Sequence, residues 1–304
     1  MRVVATCACK AFLTPGLPPW SLPLLFAAVG FLAVMIGVSS TAAAQDLEAV
    51  WAGRGDTDGM ARAILAYESA SRQEGASRQV FERLVHLRFV EADGHPEDAD
   101  ARVEGCRRCV EDGLRGLART GTADGTLLDL PDVAALDRVS QQIGSQAAGL
   151  LYGTVICYGP TIPKMSIFRQ ASAALRFKRL LERTVVLDGT VQSGGPHRSL
   201  AQYLHEAPGI MGGDDVKAGL QAEAAVRVDS RFADNLVVRA IAARCPSGQH
   251  AACRLDLETA AGLPDDAVPG SVPEQRLGKE WARAELKARR NFHPGNAPEG
   301  RVSE

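Results

Sequence analysis

The sequence predicts an all-α protein, a stack of antiparallel helical hairpins. Three observations carry that expectation. Apolar residues recur at helical spacing, no convincing alternating strand pattern occurs, and aromatics make up only 5% of a chain rich in Ala and Gly. With 46% apolar and 23% charged residues, the composition excludes a disordered, collagenous or polytopic membrane protein.

The elements follow in order. Helices are expected at about 57–73 and around Val80, Leu84 and Leu87, which share one face. After a break at Gly94-His95-Pro96, 97–119 reads as one helix, and 132–158 as another that stops at Gly159-Pro160. From 162 to 187, Ile167, Ala171, Ala174, Phe177, Leu181 and Val185 fall in one sector, with Arg169, Arg176 and Arg183 opposite, facing water. Gly194-Gly195-Pro196, Pro208-Gly209 and Gly212-Gly213 bracket a helix at 196–207. Further helices are expected at 214–229, 232–244 and 249–261, and Leu277, Trp281, Ala284 and Ala288 mark the face of the last one.

The first 44 residues hold no acidic residue. Arg2 and Lys10 precede an apolar run from Leu22 to Val38 and then Ala42-Ala43-Ala44, the order of a secretory leader cut after Ala44. A retained N-terminal membrane anchor is the alternative, since the run approaches the roughly 17-residue minimum for a span. The organisation is therefore a signal peptide at 1–44, a helical-repeat domain at 45–291 and a disordered tail at 292–304, in a periplasmic protein. Without the leader, 32 basic residues face 36 acidic ones, a net charge of −4. Such a balance does not attract nucleic acid.

Five cysteines follow the leader. Cys245 and Cys253 flank Pro246-Ser247-Gly248 and are placed to form a disulfide across a turn. Closing so short a loop contributes about 2–3 kcal/mol in the chain-entropy model. Cys106 and Cys109 enclose Arg107-Arg108 at C-x-x-C spacing, which leaves three readings open: a thiol-exchange pair, a local disulfide, or two packed thiols. A zinc site from these with Cys245, His250 and Cys253 needs a long-range meeting that nothing in the sequence supports. No metal site, cofactor or catalytic motif is expected: G-x-S-x-G, H-E-x-x-H, G-x-x-x-x-G-K-[ST] and G-x-G-x-x-G do not occur.

Glu182, Val185, Leu187 and Asp188 recur 41 residues later as Glu223, Val226, Val228 and Asp229. Ala218, Ala225 and Asp229-Ser230 resemble the second helix of a tetratricopeptide unit, so the stack is expected to be tetratricopeptide-like, an α-α superhelix. Stacked hairpins form a curved surface suited to holding a protein or an extended ligand.

The segment from Leu187 to Asp214 stands out. Gly194, Gly195, Pro196, Pro208, Gly209, Gly212, Gly213 and Asp214 form a structural turn motif: Pro196 suits the first turn of a helix, and Asp214 can cap the next. His197 and His205 lie roughly 12 Å apart along that helix, too far for one ion. Gly195-Pro196-His197-Arg198-Ser199-Leu200, then Tyr203, Ala207-Pro208-Gly209 and Gly212-Gly213-Asp214-x-x-Lys217-Ala218, with Gly149-Leu150-Leu151-Tyr152 upstream, resembles the T-component family of tripartite ATP-independent periplasmic (TRAP) transporters over residues 100–260. The chain departs from many members in having no lipid-acceptor Cys at the cut and no Trp near Tyr152. The resemblance implies a non-enzymatic, homo-oligomeric helical protein beside a TRAP solute-binding protein, with a cleft or pore open to a small carboxylated or amphipathic solute. Arg198 beside His197 is the candidate carboxylate receiver, and Tyr152, Tyr158 and Tyr203 are candidates to line the cleft. A general exported scaffold for other proteins is the alternative function, and a thiol-exchange enzyme using Cys106 and Cys109 the third.

Overall fold

Most helices form in the segments whose apolar periodicity predicts them. The computed structural model describes residues 46–94, 98–123, 125–130 and 132–289, without the side chains of 167 and 168. The leader, most of the Gly94-His95-Pro96 break, Ile167 as a packed side chain and the tail lie outside the described residues. Residues 46–49 are helical. From Val50 onward the chain is one unit, and no strand occurs among its described residues.

A turn at Gly53–Gly55 leads into α1 (Gly59–Arg72), α2 (Arg78–Asp93) and α3 (Ala99–Arg119). Then come α4 (Val133–Gln141), α5 (Ala148–Tyr158), α6 (Ile167–Asp188), α7 (Val191–Glu206) and α8 (Asp215–Val228). The last three are α9 (Ala233–Arg239), α10 (His250–Gly262) and α11 (Val272–Ala288). Most helices pack on their sequence neighbours, while α3 reaches past the short α4 to α5, α4 rests on α6, and α9 packs on α11 as well as on α10. The result is the predicted all-α stack of helical hairpins. Asp98, Asp132 and Asp214 cap α3, α4 and α8, each carboxylate accepting the N–H three residues on at 2.9, 2.6 and 3.0 Å.

Small residues bring the central helices together. An added Cβ at Gly113 of α3 would lie 2.1 Å from Thr154 of α5, and one at Gly116 2.6 Å from Phe81 of α2. Phe81, Leu117, Leu136, Ile143, Leu150 and Leu151 are fully buried around this contact. A satellite cluster of Leu236, Val237, Leu257 and Ala282 joins α9, α10 and α11. The internal repeat has a structural counterpart: Asp188 ends α6 by accepting the Thr190 N–H at 2.9 Å, and Asp229 ends α8 by accepting the Arg231 N–H at 3.0 Å.

Three expectations are corrected. The segment 132–158 is two helices, because the chain turns at Gly144, in an extended conformation, so that Ile143 enters the core. Arg183 supports that turn by donating to the carbonyls of Ser140, Gln141 and Ile143 at 3.0, 3.2 and 2.8 Å, and Arg176 donates to Leu130 O at 2.8 Å. Those two arginines cap a neighbour and do not simply face water. The segment 232–244 is helical as expected, its last turn, Ala240–Arg244, wound as π, where the Cys245 N–H bonds Ala240 O at 2.9 Å. On α11 the buried side is Glu274, Gln275, Gly278 and Ala282, while Ala284 and Ala288 are exposed. Gln275 turns inward because its amide accepts from the Ala233 N–H and donates to Arg231 O, both at 2.8 Å, thereby capping α9.

Candidate functional site

A cleft of about 440 Å³ lies between α2, the first turns of α7, α9 and α11, and the segment before α1. Trp51 and Arg54 enter it from that segment. Arg54 is 4% exposed, sits 4.1 Å over the Trp51 ring, and donates to Gly270 O and to Glu274 at 2.9 Å. His86 of α2 meets the same carboxylate at 2.5 Å. Burial pushes the Glu274 carboxyl up, but the hydrogen bond from His86 and the charges of His86 and Arg54 outweigh it and hold the group at about 2. One ionised carboxylate thus ties the entering segment and α2 to α11.

The facing wall is built from a strained turn. Gln192, Ser193 and Gly194 have φ of 47, 55 and 88°, three left-handed residues in succession of which two carry side chains. Such conformations persist where the surroundings over-determine them. Here Asn235, fully buried, donates its amide to Ser193 O at 2.7 Å, Asp229 O at 2.8 Å and Ala225 O at 3.1 Å. Gln192 thereby lines the cleft. The Asn235 oxygen accepts from Arg198 Nη1 at 2.7 Å, and the Arg198 guanidinium lies 4.7 Å over the Phe232 ring.

Asp234 stands beside Arg198, its Oδ2 3.9 Å from Nε. Its other oxygen packs against the backbone of α11 at Gly278, where a Cβ would come within 2.3 Å. Burial raises its carboxyl to about 6; Arg198 opposes the shift, and Asp93 and Glu274 add to it. On α2, burial also raises the carboxyl of Glu82 against the pull of Arg78, His86 and Arg83. Phe89, Val90 and Leu277 supply apolar surface. The cleft therefore offers a guanidinium and an amide at one side, aromatic and aliphatic walls, and two carboxyls raised by burial.

Of the five candidate ligand residues, Arg198 reaches this cleft and the others do not. Tyr152 is a core residue: its ring fills the place a Cβ would take at Gly195, and its hydroxyl meets Ser199 Oγ at 2.9 Å. Tyr158 is buried on α5. Tyr203 is half-buried against Phe177 and donates to Met211 O at 2.7 Å, which fixes the Pro208–Gly213 turn. His197 Nδ1 meets Gln221 at 2.7 Å and its ring packs against Gly189. Of these four, Tyr152 supports the wall from behind, through Gly195 and Ser199. Trp51, Arg54, His86, Gln192, Phe232, Asp234 and Glu274 are site residues that sequence reasoning missed, because five separate segments supply them.

The cysteines are corrected similarly. Cys109 is bonded to Cys157, pinning α3 to α5 across 48 residues, so Cys106 and Cys109 are neither a redox couple nor a local disulfide. Cys106 is a buried free thiol, raised by burial to about 11. The disulfide Cys245–Cys253 forms as expected. Among the described residues no cluster of His, Cys, Asp and Glu could hold a metal ion, and no helix is long and apolar enough to cross a membrane. No family model matches the chain, and no curated protein matches it either.

Proposed function

We propose that this chain is an exported, non-enzymatic helical-repeat protein that holds a small carboxylated, amphipathic solute in the cleft and works as a homo-oligomer beside the solute-binding protein of a TRAP-type uptake system. Arg198 carries the reading: a guanidinium fixed by Asn235 and Phe232 at an aromatic-walled cleft is the arrangement that selects a carboxylate on an apolar body. The TRAP part rests on the likeness of the 195–218 block, which forms α7, its turn and the cap of α8. Two disulfides support an oxidising compartment. Cross-linking a tagged chain in its native envelope, followed by affinity capture, tests the association: a TRAP solute-binding protein or permease is the expected catch, and a catch without either overturns it. Light scattering of the purified protein checks the oligomer.

A general exported scaffold is the second reading, favoured by the exposed Ile210, Val216 and Leu220 around the start of α8, at 91, 76 and 64%. Under that reading, substituting these three residues by Ser removes the captured proteins and leaves solute binding intact.

A further inference from the structure

We propose that Asp234 is the internal counter-ion of the solute site: it faces Arg198 while the cleft is empty, and a solute carboxylate takes its place in exchange for a proton on Asp234. The inference rests on the reading of the cleft as a carboxylate site and assigns it a proton requirement.

The argument is one of charge and geometry. Glu274 is engaged by Arg54 and His86, and Asp93 is held by Arg102 at 2.6 Å. Arg198 has Asn235 on Nη1, the Phe232 ring along its plane, and Asp234 beyond normal hydrogen-bond distance at 3.9 Å. A second carboxylate approaching Arg198 therefore comes close to an ionised Asp234 that is 26% exposed to the same cleft. Two carboxylates sharing one guanidinium in a partly desolvated site cannot both stay ionised cheaply, and one takes up a proton. Burial makes Asp234 a stronger proton acceptor than an ordinary solute carboxylate, so the proton from solvent goes to Asp234.

The surroundings leave Asp234 as the group that yields. Arg198 on α7 is its cation, and Asp93 on α2 and Glu274 on α11 press on it with like charge. Four other acids are paired elsewhere. Asp229 meets Arg231, Glu223 meets Arg239 and Arg244, Asp256 meets Arg239, and Asp265 meets Arg276 and Lys279. Burial raises the Asp234 carboxyl to about 6, so the proton costs little just above that pH.

Titration calorimetry of the purified protein with hexanoate tests this, run from pH 5.5 to 8 and in two buffers of different ionisation enthalpy. Close to one proton should be taken up per hexanoate at pH 7. Affinity should weaken about tenfold per pH unit above pH 6 and level off below it. Asp234→Asn should remove the slope and bind hexanoate about thirtyfold tighter than the parent at pH 7.5, whereas Glu82→Gln should keep the slope. Hexanoate bound without proton uptake overturns the exchange and leaves the carboxylate site standing, as does a slope that persists in Asp234→Asn or vanishes only in Glu82→Gln. Absence of hexanoate binding by the parent at pH 5.5 overturns the carboxylate reading of the cleft, and the exchange with it. The buffer comparison needs no variant, so it decides the matter even where Asp234→Asn does not fold.

Discussion

Asn235 accepts a hydrogen bond from Arg198 Nη1 at 2.7 Å while its own amide nitrogen holds Ser193 O at 2.7 Å, so one buried side chain fixes both the cleft's arginine and the left-handed turn that precedes it. Replacing Asn235 by Ala leaves a buried guanidinium and three carbonyls short of partners. A stability loss of about 3 kcal/mol is expected on that account. Urea unfolding measures it; a loss under about 0.5 kcal/mol would show that water replaces the amide without penalty.

Gly195 and Tyr152 make a second contact that one methyl group would break. A Cβ at position 195 would lie 2.6 Å from the tyrosine ring, and that ring is 2% exposed with no room to retreat. Gly195→Ala is expected to cost about 1–3 kcal/mol through overpacking. Thermal melts of Gly195→Ala and of the pair with Tyr152→Leu separate the causes: the smaller partner should restore part of the loss, and equal melts for both would place the strain elsewhere.

These two residues show what a single sequence reveals and what it does not. Gly195 and Pro196 announce a tight approach and a helix start through their own backbone chemistry, so the turn was legible from local residues. The helices were legible for the same reason, as 3.6-residue periodicity is local. Glu274, Gln275 and Asp234 were not, since each is polar and would ordinarily mark a wet face. Their burial depends on Arg54, Ala233 and Gly278, partners that only the folded chain brings near. Arg198 is legible because it sits inside the glycine-rich segment, whereas Tyr152 and Tyr158 are buried in the core and Tyr203 is tied to the following turn.

The disulfide between Cys109 and Cys157 makes a chemical prediction that C-x-x-C spacing does not. Replacing both cysteines by Ser should lower stability by about 4 kcal/mol in the chain-entropy model for a 48-residue loop, and replacing Cys245 and Cys253 by about 2.5 kcal/mol for their 8-residue loop. Cys106, with its thiol raised to about 11 and buried, should resist iodoacetamide until the protein unfolds. Mass mapping of alkylated native protein checks this, and rapid native labelling of Cys106 or catalysis of insulin reduction would restore the thiol-exchange reading.

Glu274 is an acid-sensitive tie within the fold. Its carboxyl sits at about 2 in the folded chain against an ordinary 4.5, because His86 and Arg54 favour the ionised form more than burial opposes it. A folded value below the unfolded one means that the stabilisation is fully present above about pH 4.5 and is lost as the pH falls toward 2. The shift corresponds to about 3 kcal/mol. Glu274→Gln should therefore be less stable than the parent by roughly that amount at pH 6, and the gap should close as denaturant titrations are repeated down to pH 2. A gap that stays constant with pH would assign the loss to packing of the side chain and remove the charge of Glu274 as the bond between the entering segment, α2 and α11.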